Sequence, residues 1–237
     1  MPNELTSSSN DRMARRALAI ALGAGALAFA ASPQGKQSAG SEDEGVTAPE
    51  DLMKEHGVLD RCLLVYEEVL RRIQGKKEIP SQVLYQTADL IKRFVENYHE
   101  KNEENYIFPV FLKSGKMTGL VENLLVQHKV GRQVTAQILQ FAQPALFKDP
   151  SHQPKIIDLC EKFVRMYRPH KAREDTVLFP TLRSILSPEE VQALGDRMEE
   201  DEIKVLGNQG FEKSVAAVET IEKQLGIYEL AQFTPPA

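Results

Sequence analysis

Two stretches of this chain carry the same pattern of imidazole and carboxylate. His99 to Pro109 and, 71 residues further on, His170 to Pro180 each read H-x3-E-[ED]-x2-[IL]-F-P. Residues four apart share one face of a helix, so His99 with Glu103, and His170 with Glu174, each aim a nitrogen and an oxygen donor at a common point. Neutral imidazole and carboxylate at that spacing suit a divalent transition metal such as iron, manganese or zinc. Each stretch has a further histidine upstream at nearly constant distance, His56 lying 43 residues before His99 and His128 lying 42 before His170. Four of the five histidines and a matched pair of glutamates thus fall into a duplicated unit with a period of 71 or 72 residues. The fifth, His152, stands between Pro150 and Pro154 and reads as a loop residue.

Helices must position these groups. Apolar residues recur at intervals of three and four from Leu52 to Leu70, Leu84 to Tyr106, Met117 to Ile138 and Ile156 to Val177, and each stripe passes through one histidine. A histidine at a core position is ordinarily a satisfied core residue, but four at matched spacing are better explained by a metal site that satisfies all of them. The pattern predicts an all-α fold, a four-helix up-down bundle over residues 48–186 with His56, His99, Glu103, His128, His170 and Glu174 directed inward. The count suits a dinuclear centre, two histidines to each metal and both glutamates bridging, with open positions for a small ligand. Glu104 and Asp175 are rotated about 100° from the bridges and are expected to be solvated or to lie behind the ligands. Tyr106 and Tyr167 are expected to pack in the core with bonded hydroxyls or to orient a ligand. Pro169 should remove a backbone bond and kink the fourth helix. Ser187-Pro188 with Glu190 opens a further helix to about Leu206, and a last one runs from Phe211 to Leu225. Residues 187–228 thus add two helices without histidine, expected on the bundle exterior or at an oligomer surface, before a tail at 229–237.

At 237 residues the chain suffices for one well-filled domain or two small ones, and the repeat favours one. A net charge of −5 without a Lys/Arg cluster beyond the first residues excludes a nucleic-acid footprint. Arg12, Arg15 and Arg16 precede the apolar run Ala17 to Ala31, and Ala28-Phe29-Ala30 offers a small-x-small cleavage site. Residues 1–30 therefore read as an export signal to the periplasm or another extracytoplasmic space. Arg15-Arg16-Ala-Leu resembles a twin-arginine signal, which would carry the protein across the membrane already folded. The run is shorter than the roughly 20 residues that span a bilayer; left uncleaved, it would be the chain's one membrane anchor. Residues 31–47 read as a flexible linker. Cys62 and Cys160 are expected as small buried hydrophobes rather than a disulfide. No nucleophile, general base or substrate pocket stands out, so no turnover reaction is assigned.

His56 with Arg61, His99-x3-Glu103-Glu104 with Phe108-Pro109, His128 with Gly131-Arg132, and His170-x3-Glu174-Asp175 with Phe179-Pro180 resemble the hemerythrin-like, or HHE cation-binding, family over about residues 50–185. The resemblance implies a non-haem centre of two iron ions held by His56, His99, Glu103, His128, His170 and Glu174, with manganese or zinc less favoured. The four-histidine count is similar to the branch implicated in repairing iron centres and handling nitric oxide, rather than to the oxygen carriers, which typically use five. Two features depart from that branch: Gln127 stands where the family often has Glu, and an export signal replaces its Cys-bearing N-terminal segment. The expected function is binding or sensing of dioxygen or nitric oxide, or handling of peroxide, outside the cytoplasm. The expected partner is that small diatomic ligand or peroxide. Iron storage or delivery, iron-centre repair, and a bundle merely tied together by metal are the competing readings.

Overall fold

In a computed structural model, residues 46–80 and 82–236 are described; the export signal at 1–30 and the linker up to residue 45 lie outside them. Helix α1 is Ala48–Gln74, α2 is the continuous helical rod 83–114, α3 is Thr118–Phe141 and α4 is the rod 153–182. Then come α5, Pro188–Leu206, and α6, Gly210–Leu225. Single helical turns at Pro144–Phe147, Pro150–His152 and Leu230–Phe233 complete the described elements, none of which is a strand. His152 lies in the second of these turns, its ring bonded to the Leu146 carbonyl at 3.1 Å. No helix among the described residues is long and apolar enough to cross a membrane.

The helix ends follow from local chemistry. Gly115 closes the α2 rod at φ 72° and Gly226 closes α6 at φ 64°, left-handed positions that cost glycine nothing. Ser187 caps α5 by accepting from Glu190 N–H while the Glu190 carboxylate returns to the Ser187 amide, with Pro188 at the first helical position.

Apolar side chains sort into two clusters with a polar layer between them. One contains Val58 to Leu70 of α1, Val83 to Tyr98 of α2, Val134 and Ile138 of α3, and Ile156 to Tyr167 of α4. The other contains Ala48 and Leu52, Ile107 to Phe111, Val121 and Leu124, and Leu178 to Leu182 from the same four helices. Consecutive helices therefore cross the layer in opposite senses, and His56, His99, Glu103, His128, His170 and Glu174 all fall between the clusters. The last two helices complete those clusters. Val218, Ile221 and Leu225 of α6 join the first, Met198 of α5 joins the second, and Arg61 of α1 holds Glu222 of α6 through its Nε at 3.0 Å. All six helices belong to one compact unit.

The rods α2 and α4 depart from an ideal α-helix where it matters. Both contain a π-helical turn that begins at the glutamate of the repeated motif, Glu103–Ile107 and Glu174–Leu178, and α2 has a longer one at Ile91–His99. The Phe108 and Phe179 amides reach back five residues to the carbonyls of Glu103 and Glu174. Pro109 and Pro180, having no N–H, cannot continue the wide ladder, and it ends against them. The extra residue per turn shifts the core stripe by one. Ile107 and Leu178 are buried where a regular period places Tyr106 and Val177, which are only half-buried. Met117, assigned to the α3 stripe from sequence, sits instead just before that helix at φ 54°. Helix Gln153–Arg173 runs through Pro169 without interruption.

Candidate metal centre

Each of the four central helices contributes one imidazole to the polar layer, and α2 and α4 each add a carboxylate one turn later. The Nε2 atoms of His56 and His99 are 3.1 Å apart and those of His128 and His170 are 3.2 Å apart. Glu174 spans the two pairs, Oε2 lying 3.3 Å from His56 Nε2 and Oε1 3.2 Å from His170 Nε2. Glu103 closes the other side, with Oε2 3.4 Å from His128 Nε2 and 3.6 Å from His99 Nε2. All six side chains are at most 4% exposed. The structure thus brings together every ligand candidate read from the sequence.

The outer faces of the rings determine what the inner faces can do. His56 Nδ1 meets Asp175 at 2.7 Å, His99 Nδ1 meets Glu55 at 2.7 Å, His128 Nδ1 meets Glu104 at 3.2 Å, and His170 Nδ1 meets the Gln127 side-chain oxygen at 2.8 Å. An oxygen behind each ring holds a proton on Nδ1 and turns Nε2 inward, the nitrogen that carries the lone pair once the ring is neutral. Four Nε2 atoms and two carboxylates then face one another, and no hydrogen bond of ordinary geometry reaches any oxygen of Glu103 or Glu174 among the described residues. Buried polar atoms left in that state are costly. Two donors bound at right angles to one ion at about 2.1 Å lie about 3.0 Å apart, close to both Nε2 separations. The residues fit a pair of cations.

The electrostatics agree. Burial works against a charged His56, but Asp175 and Glu174 outweigh it and raise its pKa to about 10. Burial likewise opposes a charged His128, and Glu103 and Glu104 raise it to about 10. Burial would keep Glu174 protonated, yet His170 and His56 hold its pKa below the usual carboxylate range. Donor groups of Glu103, His128, His170 and Glu174, and of His56, His99 and Glu103, lie close enough together to hold metal ions. Glu100, Glu104 and His128 also converge, but there Arg132 already supplies the positive charge, 2.7 Å from Glu100 and 2.5 Å from Glu104.

Residues 47–182 match the hemerythrin HHE cation-binding domain. The chain belongs to that family. It is 43% identical over 190 residues, 80% of this chain and 74% of each relative, to the uncharacterized proteins Rv1995 and MT2051 of Mycobacterium tuberculosis and Mb2018 of Mycobacterium bovis. No solved structure gave a significant match.

Within this HHE domain the rest of the repeated motif acquires roles. Phe108 stacks on the His128 ring at 5.4 Å and Phe179 on the His56 ring at 5.8 Å, so each Phe-Pro pair braces a histidine of the opposite repeat. Glu104 and Asp175, expected in solvent or behind the candidate ligands by helical phase, lie behind the rings of His128 and His56, again across repeats. Arg61, part of the motif, lies away from the centre at α6. Tyr167 donates to Glu100 at 2.6 Å, and Tyr106, outside the core, donates to Asp201 at 2.6 Å. Sequence reasoning missed Glu55, which orients His99 and accepts from Tyr98 at 3.0 Å. Its only signal was its place directly before His56, where Gln127 precedes His128. Cys62 and Cys160 are free and buried, and burial pushes both thiols up to about 12.

Proposed function

We propose that this chain is an exported, non-haem di-iron protein that binds or senses dioxygen or nitric oxide, or handles peroxide. The proposed frame is a four-helix up-down bundle, α1 to α4, covered by α5 and α6; the alternating passage of the helices between the two apolar clusters supports it. The observation that carries the functional reading is the closed ring of four inward Nε2 atoms and two carboxylates whose oxygens make no hydrogen bond of ordinary geometry among the described residues. His56 and His99 would hold one ion, His128 and His170 the other, and Glu103 and Glu174 would link them. Two iron ions so held would supply reversible redox chemistry and open coordination positions. The protein's own contribution is to fix the tautomer of each imidazole from behind and to keep bulk water from the centre.

Ligands at most 4% exposed suit an exogenous partner of two or three atoms better than a large substrate. Iron storage or delivery is the alternative, and such burial does not favour the rapid exchange it would need. Placement outside the cytoplasm rests on Arg12, Arg15, Arg16 and the run to Ala31. Optical spectra of protein loaded anaerobically with ferrous iron, then given air, nitric oxide or hydrogen peroxide, test the reading. New charge-transfer bands with at least one of the three are expected, and unchanged spectra with all three would reject it.

A further inference from the structure

The two metal positions are built on a repeat, yet their surroundings are not equal. Behind the His56 and His99 pair stand two carboxylates, Asp175 at 2.7 Å and Glu55 at 2.7 Å. The nearest ammonium to Asp175 is that of Lys171 at 3.9 Å, and it lies closer to Asp60, at 2.8 Å. Among the described residues Glu55 has only the Tyr98 hydroxyl as a further donor. Behind the His128 and His170 pair stands one carboxylate, Glu104 at 3.2 Å, and one neutral amide, Gln127 at 2.8 Å. Glu104 is also clamped between the Arg132 guanidinium at 2.5 Å and the Lys101 ammonium at 2.5 Å, and Arg132 is shared with Glu100. A carboxylate behind an imidazole makes it a stronger donor, whereas an amide or a neutralised carboxylate does so less.

Both differences point the same way. We infer that the centre is lopsided: the position of His56 and His99 binds a divalent ion more tightly and fills first, the position of His128 and His170 fills second, and Gln127 is a principal determinant of the gap. This rests on the two-ion reading proposed above. Outer partners of metal-bound histidines typically change affinity by about 10–100-fold, so two resolved binding steps separated by at least about tenfold are expected. At limiting metal the protein would then exist mainly as a one-ion form with its ion between α1 and α2.

The test is a titration of the metal-free full chain with cobalt(II), followed by its ligand-field bands and by calorimetry, so that no oxidation step intervenes. The wild-type chain should bind two ions in two steps. Gln127→Glu, at a half-buried position that tolerates a charge, should strengthen the second step by about tenfold and leave the first unchanged. Glu55→Gln, which keeps size and the Tyr98 contact, should weaken the first step toward the second. Circular dichroism of each variant checks that it is folded. Two ions binding in one step, with Gln127→Glu without effect on a folded protein, would overturn this inference and leave the two-ion reading standing. Binding of fewer than two ions to the wild-type chain would overturn both.

Discussion

Gly131 of α3 is a sharp test of how the centre is supported, because a single methyl there has nowhere to go. A Cβ built on Gly131 would lie 2.0 Å from the Tyr167 hydroxyl oxygen and 2.8 Å from its ring carbon Cζ, inside any physical contact. Tyr167 is 1% exposed, stacks on Phe163 at 4.3 Å and packs against the His170 ring at 5.3 Å, so it cannot swing aside freely. Gly131→Ala must therefore move the ring and break the 2.6 Å bond to Glu100. Overpacking of a core costs about 1–3 kcal/mol, and loss of a hydrogen bond to a charged group about 1.5–3 kcal/mol. Replacing a helical glycine by alanine returns about 0.5–1 kcal/mol. The net loss is about 2–5 kcal/mol, or a fall in Tm of roughly 5–15 °C for a domain of this size. Gly57 of α1 is the control: nothing lies within 4 Å of its added Cβ, so Gly57→Ala should gain about 0.5–1 kcal/mol. Thermal unfolding of the metal-free variants by circular dichroism measures both. A Gly131→Ala protein as stable as the wild type would refute the packing argument.

Glu174→Ala should lose at least one metal ion by elemental analysis, whereas Glu104→Ala should retain both with affinity lowered about 10–100-fold; equal damage from the two would contradict the assigned roles. Because His56 and His128 hold protons up to about pH 10 in the metal-free protein and must be neutral to bind metal, loading at pH 8 should release about two protons per chain, measurable by calorimetry in buffers of different ionisation enthalpy. Release of none would contradict the charge state derived for the layer. Burial, the largest influence on Glu96, raises its pKa to about 7. The folded state therefore binds more protons than the unfolded one between about pH 4.5 and 7, and stability falls as pH rises through that window. Glu96→Gln should leave stability at pH 4 nearly unchanged and raise it at pH 9 by about 3 kcal/mol, from 1.36 kcal/mol per pH unit. Denaturant midpoints at the two pH values decide it. Verified chelation should lower Tm clearly, since the ring's polar atoms lose their partner.

What was legible in the sequence was whatever regular helical spacing encodes. His99 with Glu103 and His170 with Glu174 are each one turn apart, and the repeat located His56 and His128, so the six side chains that converge between the clusters followed from spacing alone. The helix start at Ser187 and the helix end at Gly226 were marked by residue chemistry. The phase beyond Glu103 and Glu174 was not legible, because a π turn adds a residue that no 3.6-residue period contains; Tyr106 and Val177 were misplaced by one for that reason. Contacts between repeats were equally hidden. Nothing in the order of residues says that Asp175 stands behind His56 or that Phe108 covers His128, since those pairs meet only when the helices pack. Glu55 was visible as a neighbour of His56 but points to His99 on another helix.

Six side chains between two apolar clusters are proposed to hold two metal ions in one site. The most direct measurement is elemental analysis combined with Mössbauer spectroscopy of the full chain loaded anaerobically with iron-57 and then exposed to air. A two-ion site predicts close to two iron atoms per chain, magnetically coupled to one another. A stable value of one or none, or two uncoupled irons, would contradict it.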